Sequence, residues 1–149
     1  MRAITIRQPW ATLIALGEKR FETRSRRTHI RGPLAIHAGK NVDREACERE
    51  PIKSTLAKHG YTAENLPTGA IIATCNLSDC LAMGAVDGDR ISLAGNRVGY
   101  LDIESNEYHF GWYERGRFAN ELTNVKRINP IPVKGQQGFW FFNGLEGEK

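Results

Sequence analysis

Apolar and polar residues alternate from Ala3 to Arg7, which predicts a short strand that Gln8-Pro9 brings to an end. Pro9 suits the first turn of a helix, Trp10 to Leu16 continues it, and Gly17 is a natural stop. Lys19 to Thr23 reads as a second strand, Arg24 to Gly32 as a polar loop, and Pro33 to Ala38 as a third strand. The segment from Asp43 to His59 has helical character, broken at Pro51 and closed by Gly60. A turn over Asn65 to Gly69 leads into a long strand, GAIIATCNLSDCLAM. Gly84 to Gly99 is rich in glycine and aspartate and is expected to be irregular. Further short strands are expected at Gly99 to Ile103, Phe118 to Ile128 and Gly138 to Phe142. There is no repeat, linker or low-complexity tract. Many short strands with two or three flanking helical segments predict one α+β domain over residues 1–149, built round a β-barrel.

Composition narrows the class. A chain of 149 residues can bury a real core as one domain, and 40% hydrophobic with 26% charged residues is the make-up of a soluble globule. No apolar run approaches the roughly 18 residues a membrane span needs. The opening residues read as a strand rather than a signal region. Cys47, Cys75 and Cys80 make an odd count without a CxxC pair, so a reduced, cytoplasmic setting is expected. His29, His37, His59 and His109 are scattered without metal-ligand spacing, and no nucleotide-cofactor fingerprint is present. Neither a metal nor a cofactor is expected.

Charge changes the picture more. Between Glu18 and Arg31 lie Lys19, Arg20, Arg24, Arg26, Arg27 and Arg31 against two acids, so this window carries the whole formal excess of +4. A basic segment on a near-neutral body suits a phosphate-bearing partner, although a solvated loop is the commoner reading of such a run. Strand alternation puts Phe21 and Thr23 on one face and Arg20, Glu22 and Arg24 on the other, with Phe21 as core anchor. A second cluster, FGWYERGRF from Phe110 to Phe118, interleaves four aromatics with two arginines. Aromatic faces stack on bases while arginines follow phosphate. Phe110 and Phe118 read as core. Trp112, Tyr113 and Arg117 fit a cleft wall or core filling equally well, and Trp10, with its indole donor, is similarly placed.

ITIRQPWATLIALGEKRFETRS followed by THIRGPLAIHAGK resembles the opening of an ASCH domain, a member of the PUA-like superfamily. The G-x-K-x-x-E-x-R signature of that family falls on Gly17, Lys19, Glu22 and Arg24. The resemblance extends through GAIIATCNLSDC and FGWYERGRFANELTNVKRI and is weakest from Gly84 to Tyr108. It implies a PUA-like pseudo β-barrel with a cleft lined by the signature. Family members are linked to RNA binding, ribonuclease activity and deacetylation of acetylated cytidine. The small amidohydrolases of the family have a catalytic lysine, matched by Lys19, and a threonine where this chain has Glu22. Their carboxylate partner has no assigned counterpart in this sequence.

Three expectations follow from that resemblance. The first is a module for RNA, other single-stranded nucleic acid or a nucleotide. Its base would meet Glu22, its phosphates would meet Arg24, Arg26, Arg27 and Arg31, and Trp10, Trp112, Tyr113 and Arg117 would line the cleft. The second is a metal-independent hydrolase of an acylated cytidine, with Lys19 and Glu22 catalytic. The third is a ribonuclease in which Lys19 and its neighbouring arginines stabilise the transition state.

Overall fold

A computed structural model describes residues 1–144. The chain runs β1 (Arg2–Gln8), α1 (Trp10–Ala15), β2 (Phe21–Arg24), β3 (Gly32–Val42), α2 (Arg44–Glu48) and α3 (Ile52–Lys58). It continues as β4 (Ala70–Asp87), β5 (Arg90–Ala94), β6 (Val98–Asp102), α4 (Asn106–Phe110), β7 (Phe118–Pro132) and β8 (Phe139–Phe141). This is an α+β fold with one eight-stranded sheet and four short helices among the described residues.

The strands lie in the order β2-β7-β4-β3-β1-β8, with β5 and β6 branching from β4. The ladder does not close: β2 and β8 are its two ends, so the expected barrel is an open, bent sheet. The long strand β4 holds most of the irregularities in the pairing. β4 slips register against β7 at three places, between Ile71 and Ala73, Thr74 and Asn76, and Leu77 and Asp79. Each such irregularity kinks a strand and increases its twist. The bent sheet encloses the main core, in which Ile4, Ile14, Ile36, Ile72 and Leu122 meet.

Two further expectations are corrected. The stretch from Gly84 to Gly99 is not irregular: β4 continues to Asp87 and pairs with β5. Its apolar positions are few but correctly alternated, Ile91 and Leu93 being buried between solvated neighbours. The second correction is α4, a five-residue helix between β6 and β7 that hydropathy does not announce. Ser105 starts it by accepting the Tyr108 N–H at 3.2 Å.

Two local devices place the region that matters for function. Gln8 is fully buried and its side-chain oxygen accepts the Thr12 N–H at 2.9 Å, while its amide reaches the Pro67 carbonyl at 2.7 Å. The Gln-Pro-Trp start therefore locks β1, α1 and the turn before β4 together. At the other end of α1, Gly17 takes φ of +77°, which only glycine adopts freely. The N–H groups of Glu18 and Lys19 both fold back onto the Leu13 carbonyl at 3.0 Å. That return turns Lys19 inward.

Candidate functional site

Lys19 is the largest fully buried side chain among the described residues, only 1% exposed. Its ammonium donates to the Phe21 carbonyl two residues along the same chain. Burial pulls its proton affinity below the ordinary lysine value, while the carboxylates of Glu22 and Glu107 resist that fall. Glu107 enters from α4. It is buried, accepts the Arg20 N–H at 2.7 Å and the Phe21 N–H at 3.4 Å, and lies 3.5 Å from the Arg20 guanidinium. Lysine, β2 backbone and Glu107 thus form one polar assembly under the strand.

On β2 itself, Glu22 pairs with Arg24 at 2.8 Å, the two residues sharing the face that alternation assigns them. Arg24 also reaches the Thr5 carbonyl on β1 at 3.4 Å, and its buried Nε has no partner. Opposite Glu22 on β7 stands Asn120, whose buried side-chain oxygen is likewise unpartnered. A buried donor or acceptor left unsatisfied costs roughly 1–3 kcal/mol, so the Arg24 Nε donor and the Asn120 acceptor both mark a polar region incomplete in itself.

Above this floor opens a cleft of about 540 Å³ between β1, β2, the α2–α3 junction and the segment after α4. Lys19, Glu22, Arg24, Trp10, Trp112 and Arg117 line it, as do Arg7, Arg49 and His109. Its aromatic wall is preorganised. Trp112 is 62% exposed, yet its N–H donates to the Thr23 hydroxyl at 3.1 Å and its indole N–H to Glu114 at 3.1 Å. The Arg117 guanidinium lies 4.0 Å from the indole centroid and donates to the Trp112 carbonyl at 3.0 Å. A flat, fixed ring backed by a cation is a platform for another π system.

Four residues expected at the site lie off the cleft. Tyr113 is packed in the core with Phe21, Leu81 and Met83, its ring stacked on Tyr108 at 5.5 Å. Consecutive positions after α4 point opposite ways, so Trp112 takes the cleft and Tyr113 the interior. Burial raises the Tyr113 phenol far above its ordinary range. Arg27 covers Phe118 at 4.9 Å. Arg31 donates to the Thr28 and Ile30 carbonyls and sits 3.7 Å from Asp79. Arg26 is exposed and outside the lining. The basic loop is therefore largely bound to its own body rather than aimed at the cleft.

The residues that sequence reasoning missed come from distant segments. Arg7 and Arg49 look like ordinary surface arginines in sequence, and nothing but tertiary folding brings them to Lys19. Glu107 carried a weak signal, an acid three residues before the aromatic cluster begins. Thr5 also lines the cleft and is held from behind. The Val133 carbonyl accepts from His37 Nε2 at 2.7 Å, which fixes the hydrogen on that nitrogen. Thr5 Oγ1 accepts the Trp140 indole N–H at 3.1 Å and gives its own hydrogen to His37 Nδ1 at 3.1 Å. Every atom in that chain is satisfied.

Among the described residues, no group of three or more His, Cys, Asp or Glu is placed to hold a metal ion, and no helix is long and apolar enough to cross a membrane. Residues 4–132 match the family described as the ASCH domain. The crystal structure of ASCH from Zymomonas mobilis superposes with a TM-score of 0.55 at 14% identity, covering 99% of this chain and 90% of that one. A mutant of the ASCH protein from the same organism superposes at 0.52, also at 14% identity, over 99% and 93% of the two chains. At that identity the likeness is one of fold. No curated protein matches the chain.

Proposed function

The chain belongs to the ASCH domain family, and from that premise we propose that its cleft binds RNA or a nucleotide, seating one base against Trp112. The observation that carries this reading is the wall itself: an exposed indole, pinned at both its N–H groups and backed by Arg117, beside a floor of Lys19, Glu22 and Arg24. Stacking on such a ring contributes about 1–3 kcal/mol per base. Glu22 offers an acceptor to an exocyclic amine such as that of cytosine. The lining holds five cations and one carboxylate, which favours an anionic, single-stranded ligand. Titration of the protein with short RNA oligonucleotides tests it. Trp112→Ala should weaken binding by about 5- to 150-fold with the fold intact. Unchanged affinity removes the base from this wall.

A second reading, a metal-independent hydrolase, is favoured by the buried Lys19 with its lowered proton affinity. Such an amine is suited to act as base or nucleophile toward an acylated cytidine. In a ribonuclease it would instead stabilise the developing charge on phosphorus. The readings separate in the test tube. An amidohydrolase turns over acetylated cytidine with little salt dependence and loses that turnover in Lys19→Ala. A ribonuclease cuts single strands without added metal. A binding module shows salt-dependent affinity and no turnover.

A further inference from the structure

We propose that Arg49, with Arg7 as second cation, forms a phosphate subsite at the mouth of the cleft, so that the ligand is a phosphorylated nucleotide rather than a free nucleoside. This rests on the reading of the cleft as a base-binding site and adds to it the chemical class of the ligand.

Of the five cations that line the cleft, Lys19 is bound to the Phe21 carbonyl, Arg24 is paired with Glu22 at 2.8 Å, and Arg117 is laid on Trp112. Arg7 lies 5.9 Å from the Trp10 ring centroid and makes a loose 3.8 Å approach to Asp43, whose carboxylate already caps α2 through the Ala46 N–H at 3.0 Å. Arg49 has no ion pair and no side-chain hydrogen bond among the described residues. The acids on either side of it are engaged elsewhere. Glu48 pairs with Lys53 at 3.2 Å, and Glu50 accepts the Ser54 N–H at 3.0 Å. A guanidinium with its donors open, in a fork that matches phosphate oxygens, is left at the rim.

Its position is fixed by packing. Arg49 follows α2 directly and precedes α3, and the neighbouring Cys47, Ile52 and Leu56 are buried in one cluster with Leu13 and Phe110. The corner is rigid although the side chain is solvated. The local field points the same way: five cations against Glu22 concentrate in this one cleft as much positive charge as the chain carries in excess. A neutral nucleoside would leave the Arg49 guanidinium without a partner. The cleft volume of about 540 Å³ lies within the range of small-ligand sites and suits a single nucleotide. The loop from Arg26 to Arg31, the sequence's own candidate for phosphate, is outside the lining.

The test compares the four common ribonucleosides with their 5′-monophosphates by calorimetric titration at fixed low salt. The proteins are wild type, Arg49→Ala and the double variant Arg26→Ala/Arg27→Ala. For the preferred base, the monophosphate should bind wild type about tenfold or more tightly than the nucleoside. Arg49→Ala should abolish that advantage and leave nucleoside affinity unchanged, whereas the double variant should keep it. Equal affinity of wild type for nucleoside and monophosphate overturns the subsite while leaving the base site standing. Retention of the advantage in Arg49→Ala, or its loss in the double variant alone, also overturns it. Binding of neither ligand class overturns the subsite and the base-binding reading together.

Discussion

Replacing Tyr113 with phenylalanine should stabilise the protein. The phenol oxygen is buried without a hydrogen-bond partner, and the residue is only 7% exposed. Leaving such a group unsatisfied costs roughly 1–3 kcal/mol. Deleting the oxygen leaves a gap of about 10–15 Å³, which costs about 0.3 kcal/mol at the usual penalty per unit volume. The ring stays on Tyr108 and keeps its packing against Phe21 and Met83. The net gain is about 1–2 kcal/mol, or a rise in Tm of about 2–8 °C for a chain of this length. Scanning calorimetry at neutral pH measures it. A second readout comes from alkaline pH. Burial, aided by Glu107 and Glu22, keeps the folded phenol protonated far above its ordinary value of 10.0. The unfolded chain then releases a proton that the folded chain retains, so this residue's share of stability is present below pH 10 and falls as pH rises beyond it. The slope is about 1.4 kcal/mol per pH unit. Tyr113→Phe should lack that share of the alkaline loss and should bind nucleotides as wild type does. A fall in Tm with reduced nucleotide affinity would refute the reasoning, because it would give the hydroxyl a partner and a place in the cleft.

Lys19→Met should retain the fold and lose ligand binding or turnover. Lys19 is depressed below its ordinary 10.5, so its contribution is full above that pH and is lost as pH falls through the lower folded value. Wild-type stability relative to Lys19→Met should therefore climb with pH across that window, as pH-dependent denaturant melts would show. Glu107→Gln should cost about 1–3 kcal/mol, since one amide oxygen cannot serve both β2 N–H groups, and thermal melts check it. In Gly135→Ala the new Cβ would stand 2.5 Å from His37 Cε1 and 2.6 Å from Thr5 Oγ1. A loss of about 1–3 kcal/mol and a shifted Trp140 indole N–H signal in proton NMR are expected.

The opening of the chain was legible because each element carried its own punctuation. Pro9 and Gly17 bracketed α1, and Pro51 separated α2 from α3. The stretch before β6 was not, because glycine and aspartate outnumber the two buried residues that define β5. At the site, β2 alternation put Glu22 and Arg24 together from four residues of sequence. The burial of Lys19 was hidden, since it depends on where the Phe21 carbonyl and Glu107 lie after folding. Trp112 and Tyr113 could not be told apart in a segment without regular periodicity. Arg49 illustrates the deeper limit. Its availability comes from what its neighbours do with their own charges, and that is a property of the folded surface.

The end position of β2 in the sheet has a further consequence. An exposed strand edge offers unpaired backbone groups to any other extended chain and invites aggregation. In β2 the outward N–H of Phe21 is taken by Glu107 and its carbonyl by Lys19, so the protein occupies that edge with its own side chains. The residues that equip the cleft thereby also guard the molecule against strand-to-strand self-association. Substituting Lys19 and Glu107 together should raise light scattering on storage even where the monomer remains folded, a penalty that comes from lost solubility rather than from lost chemistry.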